Sequence, residues 1–210
     1  MVTIFLTGIL AYLFGSIPSA VWYGKVFHQI DVREHGSGNA GATNTLRVLG
    51  NKAGFIVFFL DFLKGYYATM LPAFTFLKDS ADVSQLLNYQ MVFGVLAVIG
   101  HVFPVFANFK GGKGVAVLFA VLFAMDIRVA LICLAVFILL VWITRYISVG
   151  SMAGAIASPI AVGYFYEWKE YGFLAFCSAI AIAVVYLHRP NIKRLMAGNE
   201  NRFSFKPKAK

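Results

Sequence analysis

Apolar runs of membrane-helix length dominate the chain. They lie at about 2–24, 54–76, 89–109, 114–125, 127–146, 151–166 and 171–187, separated by short polar segments. About 20 apolar residues cross a bilayer as a helix, so the pattern predicts an all-α polytopic membrane protein with seven transmembrane helices. The fourth run is short. It reads either as a half-helix or as one long helix with the fifth, interrupted at Asp126-Ile127-Arg128. The first run ends in Pro18-Ser19-Ala20 and so imitates a secretory signal. No Lys or Arg precedes it, however, and it continues to Trp22-Tyr23; a retained first helix is expected.

The cations decide how the fourth and fifth runs divide. With seven spans, fourteen of the 18 Lys and Arg residues fall on one side of the membrane. Only Lys78, Arg128 and Lys169 fall on the other, and Lys64 lies inside a span. Merging runs four and five would move the later basic loops to the wrong side. The positive-inside rule then places the N-terminus outside and the C-terminus in the cytoplasm. Composition agrees with a membrane protein: 60% of the residues are apolar and 13% charged, against about 45–50% and about 25% in soluble domains. No room remains for a separate soluble domain, so residues 1–210 are expected to form one integral membrane domain. Cys133 and Cys177 lie inside apolar runs and read as small core residues, with no disulfide. The basic tail Phe205-Lys-Pro-Lys-Ala-Lys210 either obeys the topology rule or touches anionic lipid.

This topology gathers the polar motifs on the cytoplasmic face. The first is His35-Gly-Ser-Gly-Asn-Ala-Gly-Ala-Thr-Asn-Thr-Leu-Arg47. Its glycines permit positive φ and close backbone approach. Consecutive N–H groups there can form an anion nest, a following helix adds its positive end, and Arg47 supplies a fork for phosphate. A polar surface loop is the plainer reading. The second motif, Lys110-Gly-Gly-Lys-Gly114, directly precedes an apolar helix. Lys113 at a helix start opposes the dipole unless an anion lies between them. The motif is not a Walker A loop, because Val115 follows Gly114 and the spacer is absent.

Other polar positions carry weaker signals. His101, before Pro104, reads as a helix-packing residue or a catalyst. Asp61 and Lys64 are three apart inside an apolar run and are expected to form a structural ion pair. Ser148, Gly150, Ser151 and Gly154 open the sixth span, where small residues allow close packing and can also contact a ligand. His188-Arg-Pro-Asn191 closes the last span. The histidine could orient or deprotonate a hydroxyl, Asn191 could position a polar substrate, and Arg189 and Arg194 could face phosphate or lipid headgroups. The histidines lack paired carboxylates or cysteines, so no metal site is expected, and no Gly-x-Ser-x-Gly elbow occurs. Together these motifs suggest an anionic phosphate substrate, hydroxyl chemistry and an apolar groove for an acyl chain.

The motifs Gly36-Ser-Gly-Asn-Ala-Gly-Ala-Thr-Asn44 with Arg47, Gly100-His-x-Phe-Pro-Val-Phe with Phe109-Lys-Gly-Gly-Lys-Gly-Val-Ala116, the stretch Ser148–Ser151, His188-Arg-x-Asn191 and Leu60-Asp-x-Leu-Lys-Gly65 resemble one family. It is the bacterial membrane glycerol-3-phosphate acyltransferases that use acyl phosphate. The resemblance covers essentially the whole chain. It implies seven spans in the bacterial cytoplasmic (inner) membrane with the active site on the cytoplasmic side. It implies acyl transfer from acyl phosphate to the 1-hydroxyl of glycerol 3-phosphate, giving lysophosphatidic acid and phosphate, the first step of phospholipid synthesis. No metal, cofactor, acyl carrier protein or coenzyme A is implied, and nucleic acid is no expected partner.

Carried over by position, Ser37, Asn39 and Thr43 are active-site residues of the first loop. Arg47 and Lys113 are phosphate ligands, with Gly112 and Gly114 beside them. His188 and Asn191 hold glycerol 3-phosphate. Ser148 or Ser151 contributes from the third motif, where Gly150 stands at a position often held by serine. Ala40 stands where proline is frequent, a change that loosens the loop. The proton of the attacking hydroxyl goes to His188 or to a donor phosphate oxygen. A transporter or channel for a small phosphorylated metabolite is the second reading. No inverted repeat is visible in its favour, and the polar motifs lie on one face. A structural membrane subunit is the third.

Overall fold

The computed structural model describes residues 1–76 and 83–203. Lys78, Asp79 and Asp82, expected on the outer side, and the basic tail 205–210 lie outside the described residues. Among the described residues the α-helices are α1 (Val2–Ser16), α2 (Ser19–His28), α3 (Ala42–Leu49), α4 (Asn51–Phe74), α5 (Val83–Val102), α6 (Val115–Met125), α7 (Ile127–Thr144), α8 (Ile147–Phe165), α9 (Tyr171–Leu187) and α10 (Arg189–Met196). They form two compact units, Met1–Met125 and Asp126–Lys210.

In the first unit α1 packs on α4 and α5, and α4 packs on α5 and α6. Small residues bring the backbones close. A side chain at Gly15 would strike the backbone of Ala97, and one at Gly100 would strike Tyr12 O. The first apolar run is not one helix as expected. It breaks at Ile17-Pro18, and α2 leaves α1 at 44°. Pro18 has no N–H to donate and its ring pushes Ile17 out of the helical region, to φ −60°, ψ 112°.

The exposed carbonyl of Ile17 accepts a hydrogen bond from Lys64 Nζ at 2.6 Å. The same ammonium sits 2.8 Å from Asp61 Oδ1, as an i,i+3 pair with both side chains buried. The charges expected to pair inside a span do so, and the cation also reaches the Ile17 carbonyl at the break, which accepts from Ser19 N as well.

In the second unit α7 packs on α8 and α8 on α9. The small residues of α8 meet α7: Gly150 lies against Phe137, and Gly154 against the Cys133 carbonyl. The packing role expected for them is therefore filled. Cys133 and Cys177 are buried free thiols. Asp126 separates α6 from α7 by capping the latter, its Oδ1 accepting from Arg128 N at 2.7 Å. α10 turns from α9 by 55° at His188.

Among the described residues four helices are long and apolar enough to cross a bilayer, or six if each bent pair counts as one span. α6, with 11 residues, is the short fourth run. Leu131, Ile132, Leu139, Trp142 and Ile143 of α7 are exposed. An apolar surface of that extent is stable against lipid rather than water.

Candidate functional site

The segment before α3 is folded by one asparagine. Asn44, 1% exposed, accepts hydrogen bonds at Oδ1 from Ser37 N (2.8 Å) and Ser37 Oγ (3.1 Å). Its Nδ2 donates to Val32 O (2.7 Å) and His35 O (3.0 Å). The loop is thereby wrapped over the helix that follows it. Gly36 and Gly38 take φ of 63° and 72°, which side chains rarely adopt. A side chain at Gly36 would strike Asn44 Oδ1 and would lie 3.5 Å from Arg47 Cδ. The stem of Arg47 therefore runs beside the Gly36-Ser37 turn. Ser37 and Thr43 are exposed, and Asn39 and Arg47 half-buried. Gly41 precedes α3, whose positive N-terminal end lies at the end of the glycine segment with no side-chain cap. The expected helix start is in place.

The second glycine loop folds back on α5. Gly111 N donates to Val102 O and Gly112 N to His101 O, each at 3.2 Å. These bonds satisfy carbonyls left open where Pro104 prevents α5 from continuing. Gly114, at φ 75°, turns the chain into α6 directly after the half-buried Lys113.

The two loops touch. A side chain on Gly112 would lie 3.0 Å from Ala40 O, and Ala40 itself is buried. Arg33 ties them further. Its Nη1 donates to Ala107 O (3.0 Å) and Lys110 O (3.3 Å), while Nε and Nη2 clasp Asp31 at 3.0 and 2.7 Å. The guanidinium holds the Asp31 carboxyl well below its ordinary range, against a smaller opposing effect of burial. An apolar groove of about 480 Å³ lies beside α1, α2 and α4, with Trp22, Tyr23, Phe27, Leu63 and Tyr67 among its walls and Lys64 and Ser19 its polar members.

In the second unit Glu200 is the organising residue. Its Oε1 accepts from Asn191 Nδ2 (2.7 Å) and Ser148 Oγ (3.1 Å), and its Oε2 from Arg194 Nε (2.7 Å). Burial acts to raise the carboxyl pKa, but the hydrogen bonds from Asn191, Arg194 and Ser148 outweigh it and the pKa lies below its ordinary value. Arg194 is thus engaged by a carboxylate rather than turned wholly to headgroups. Arg189 lies over the Tyr186 ring, 4.4 Å from its centre. Ser151 donates to Ile147 O within its own helix at 2.8 Å, so of the two serines only Ser148 joins the Asn191 cluster.

His188 is buried, with Nδ1 2.8 Å from Val184 O. A carbonyl can only accept, so Nδ1 carries hydrogen and the neutral ring keeps its lone pair on Nε2. That is the tautomer a general base requires.

Asn44, Arg33 and Glu200 organise the candidate site, and sequence reasoning gave them no duty. Glu200 had a signal: it is the one acid in the basic stretch from Arg189 to Lys210. Among the described residues no group of three or more His, Cys, Asp or Glu side chains could hold a metal ion.

Membrane-length apolar helices, with two touching glycine-rich loops in one unit and a carboxylate-centred polar cluster in the other, define a polytopic membrane protein. The family model "Glycerol-3-phosphate acyltransferase" matches residues 5–198. The chain belongs to the glycerol-3-phosphate acyltransferase family.

Relatives with that name occur in Chlorobaculum tepidum (41% identical, 98% of each chain covered) and Streptococcus pneumoniae (44% identical, covering 96% of this chain and 93% of that one). The chain is also similar to a crystal structure of PlsY (YgiH), an integral membrane glycerol 3-phosphate acyltransferase, in its glycerol 3-phosphate form. That likeness has a TM-score of 0.81 and 37% identity over 96% of both chains. A second PlsY structure, in its lysophosphatidic acid form, matches with a TM-score of 0.79 and 36% identity.

Proposed function

We propose that this chain transfers a fatty acyl group from acyl phosphate to the 1-hydroxyl of glycerol 3-phosphate. The products are lysophosphatidic acid and inorganic phosphate, the first committed chemistry of phospholipid assembly. The observation that carries the reading is the contact of the two glycine loops at Gly112 and Ala40, in a chain of this family. The similar PlsY structures in glycerol 3-phosphate and lysophosphatidic acid forms support the substrate and the product.

In this reading residues 1–210 act as one domain in the bacterial inner membrane. There are seven spans, the N-terminus is outside and the chemistry is on the cytoplasmic side. The fourteen-to-three distribution of cations supports that orientation. Acyl phosphate is a mixed anhydride, already activated, so no covalent enzyme intermediate, metal, acyl carrier protein or coenzyme A is required. The 1-hydroxyl oxygen attacks the acyl carbon and gives its proton to His188 or to a phosphate oxygen of the donor; the bond from the acyl carbon to the bridging oxygen breaks, and phosphate departs with that electron pair. Arg47, Lys113 and the N–H groups around Gly112 and Gly114 offset the repulsion of two phosphates and stabilise the departing one. Ser37, Asn39 and Thr43 line the first loop. Asn191, set by Glu200 beside Ser148, and His188 hold glycerol 3-phosphate. Positioning of this kind is worth about 7–11 kcal/mol of barrier when geometry is right. The groove at Trp22 and Tyr67 suits the acyl chain.

The test is direct. Purified protein in detergent or lipid cubic phase, given acyl phosphate and glycerol 3-phosphate alone, should release inorganic phosphate and form lysophosphatidic acid. No release, with uptake of a phosphorylated solute into protein-bearing vesicles, would establish transport instead.

A further inference from the structure

Three buried polar side chains of the first unit sit together outside the groups assigned above. Asp61, Lys64 and His101 are 2%, 6% and 6% exposed. Lys64 is spoken for by Asp61 Oδ1 and Ile17 O. His101 Nδ1 lies 3.7 Å from that same Oδ1. Neither of those two atoms has an aligned hydrogen bond, although both are shielded from solvent. A buried donor and a buried acceptor left that way are each other's natural partner.

The far edge of the imidazole faces the second glycine loop. A side chain on Gly112 would collide with Nε2 and come within 3.2 Å of Cε1, and one on Gly114 would lie 3.9 Å from Cδ2. The main chain of His101 holds the loop as well, its carbonyl accepting from Gly112 N. One residue therefore supports the glycines on both sides of Lys113, through its ring and through its backbone.

We propose that His101 is a positioning residue for the Lys113 loop, with Asp61, balanced by Lys64, orienting its ring. The Lys64–Asp61 pair gives the ring a fixed anionic partner. The ring then forms a rigid floor that sets where the Gly112–Gly114 N–H groups and Lys113 meet a phosphate. This inference rests on the reading of that loop as a phosphate site.

A double-mutant cycle tests it, with both substrate concentrations varied. His101→Ala should raise KM for one phosphate substrate about tenfold while kcat stays within about threefold. Gly112→Ala should raise the same KM by pushing the loop off the ring. The double variant should be no worse than the poorer single, because the added methyl enters the space that the ring leaves. KM values unchanged for both substrates in His101→Ala, or effects that multiply in the double variant, would overturn the inference.

If His101→Ala does not purify folded, the cycle is run with His101→Asn. That side chain keeps a donor toward Asp61 but removes the ring edge under Gly112, and the same outcomes decide. A wild-type chain that releases no phosphate sinks the acyltransferase reading, not this one. In that case the thermal shift produced by inorganic phosphate is compared between wild type and the His101 variant. A smaller shift in the variant supports the inference and equal shifts overturn it.

Discussion

Asn44 Oδ1 receives both the main-chain N–H and the hydroxyl of Ser37, at 2.8 and 3.1 Å. Seven residues apart, the two are joined so that the loop cannot open without stranding a buried amide. The structural and the chemical contributions of this pair can be separated. Ser37→Ala leaves the N–H bond in place, so the loop should keep its hydrogen-exchange protection while kcat/KM falls about tenfold or more. Asn44→Ala removes the side-chain donor to Val32 O and His35 O, which keep only His35 N and Gly38 N, and takes the acceptor from Ser37 N. It should cost about 2–3 kcal/mol of local stability, read as faster exchange from 35 to 38 together with lost activity. Equal exchange in both variants would contradict the assignment.

Arg47 lies on α3 beside the first loop and Lys113 within the second, and each should contribute a charge-assisted contact to phosphate. Replacement of either by Ala should remove about 1.5–3 kcal/mol of binding, seen as a roughly 10–100-fold fall in kcat/KM that is carried by KM. Initial-rate kinetics with both substrates check this. Unchanged kinetics for both would remove the residue from the site.

His188 has its Nδ1–H directed at Val184 O, which places the lone pair of the neutral ring on Nε2. His188→Gln preserves size but cannot take the proton. A fall of about 100-fold or more, with loss of the acid-side inflection in the pH–kcat/KM profile, is the outcome expected of a base. A profile that keeps its shape with a small rate loss assigns the proton to the donor phosphate.

Glu200 sets an acid limit on stability. Its folded pKa lies below the ordinary 4.5, so the bonds from Ser148, Asn191 and Arg194 stabilise the fold fully above that value. That contribution is lost as pH falls through the depressed folded pKa. Thermal unfolding in detergent should therefore be flat above about pH 5 and decline below 4.5 for the wild type. Glu200→Gln should be less stable at neutral pH by about 3 kcal/mol, with a shallower decline in acid. A wild-type decline beginning well above pH 5 would point to another group.

Much of the fold was legible because its causes are local. Six of the seven apolar runs reappear as single helices, the third displaced toward the N-terminus (89–109 against Val83–Val102), and the first is split in two. The 171–187 run is α9 residue for residue. The i,i+3 spacing of Asp61 and Lys64 sufficed to pair them, since helix geometry alone brings such positions together. The glycine segment ending in a helix start was also visible, because positive φ and missing side chains are properties of individual residues. The break at Pro18 was written in the sequence but masked by apolar residues on both sides, where hydropathy reports burial and not backbone direction.

The site was legible only in part. Ser37, Arg47, Lys113, His188 and Asn191 carry chemistry that can be named from residue type. The residues that hold them do not. Asn44 serves four partners through a loop closure, Arg33 reaches carbonyls 74 and 77 positions away, and Glu200 meets Ser148 across 52. The amino-acid sequence by itself determined that the chain is helical and apolar, which stretches carry its apolar helices, and which polar residues form motifs. Only the tertiary structure decided which carbonyl Lys64 reaches, that the Gly112 loop rests on His101 and Ala40, and that one carboxylate gathers Ser148, Asn191 and Arg194. The reason is physical: helix formation and burial follow from neighbours along the chain, whereas a hydrogen bond between distant residues exists only once packing has fixed both ends.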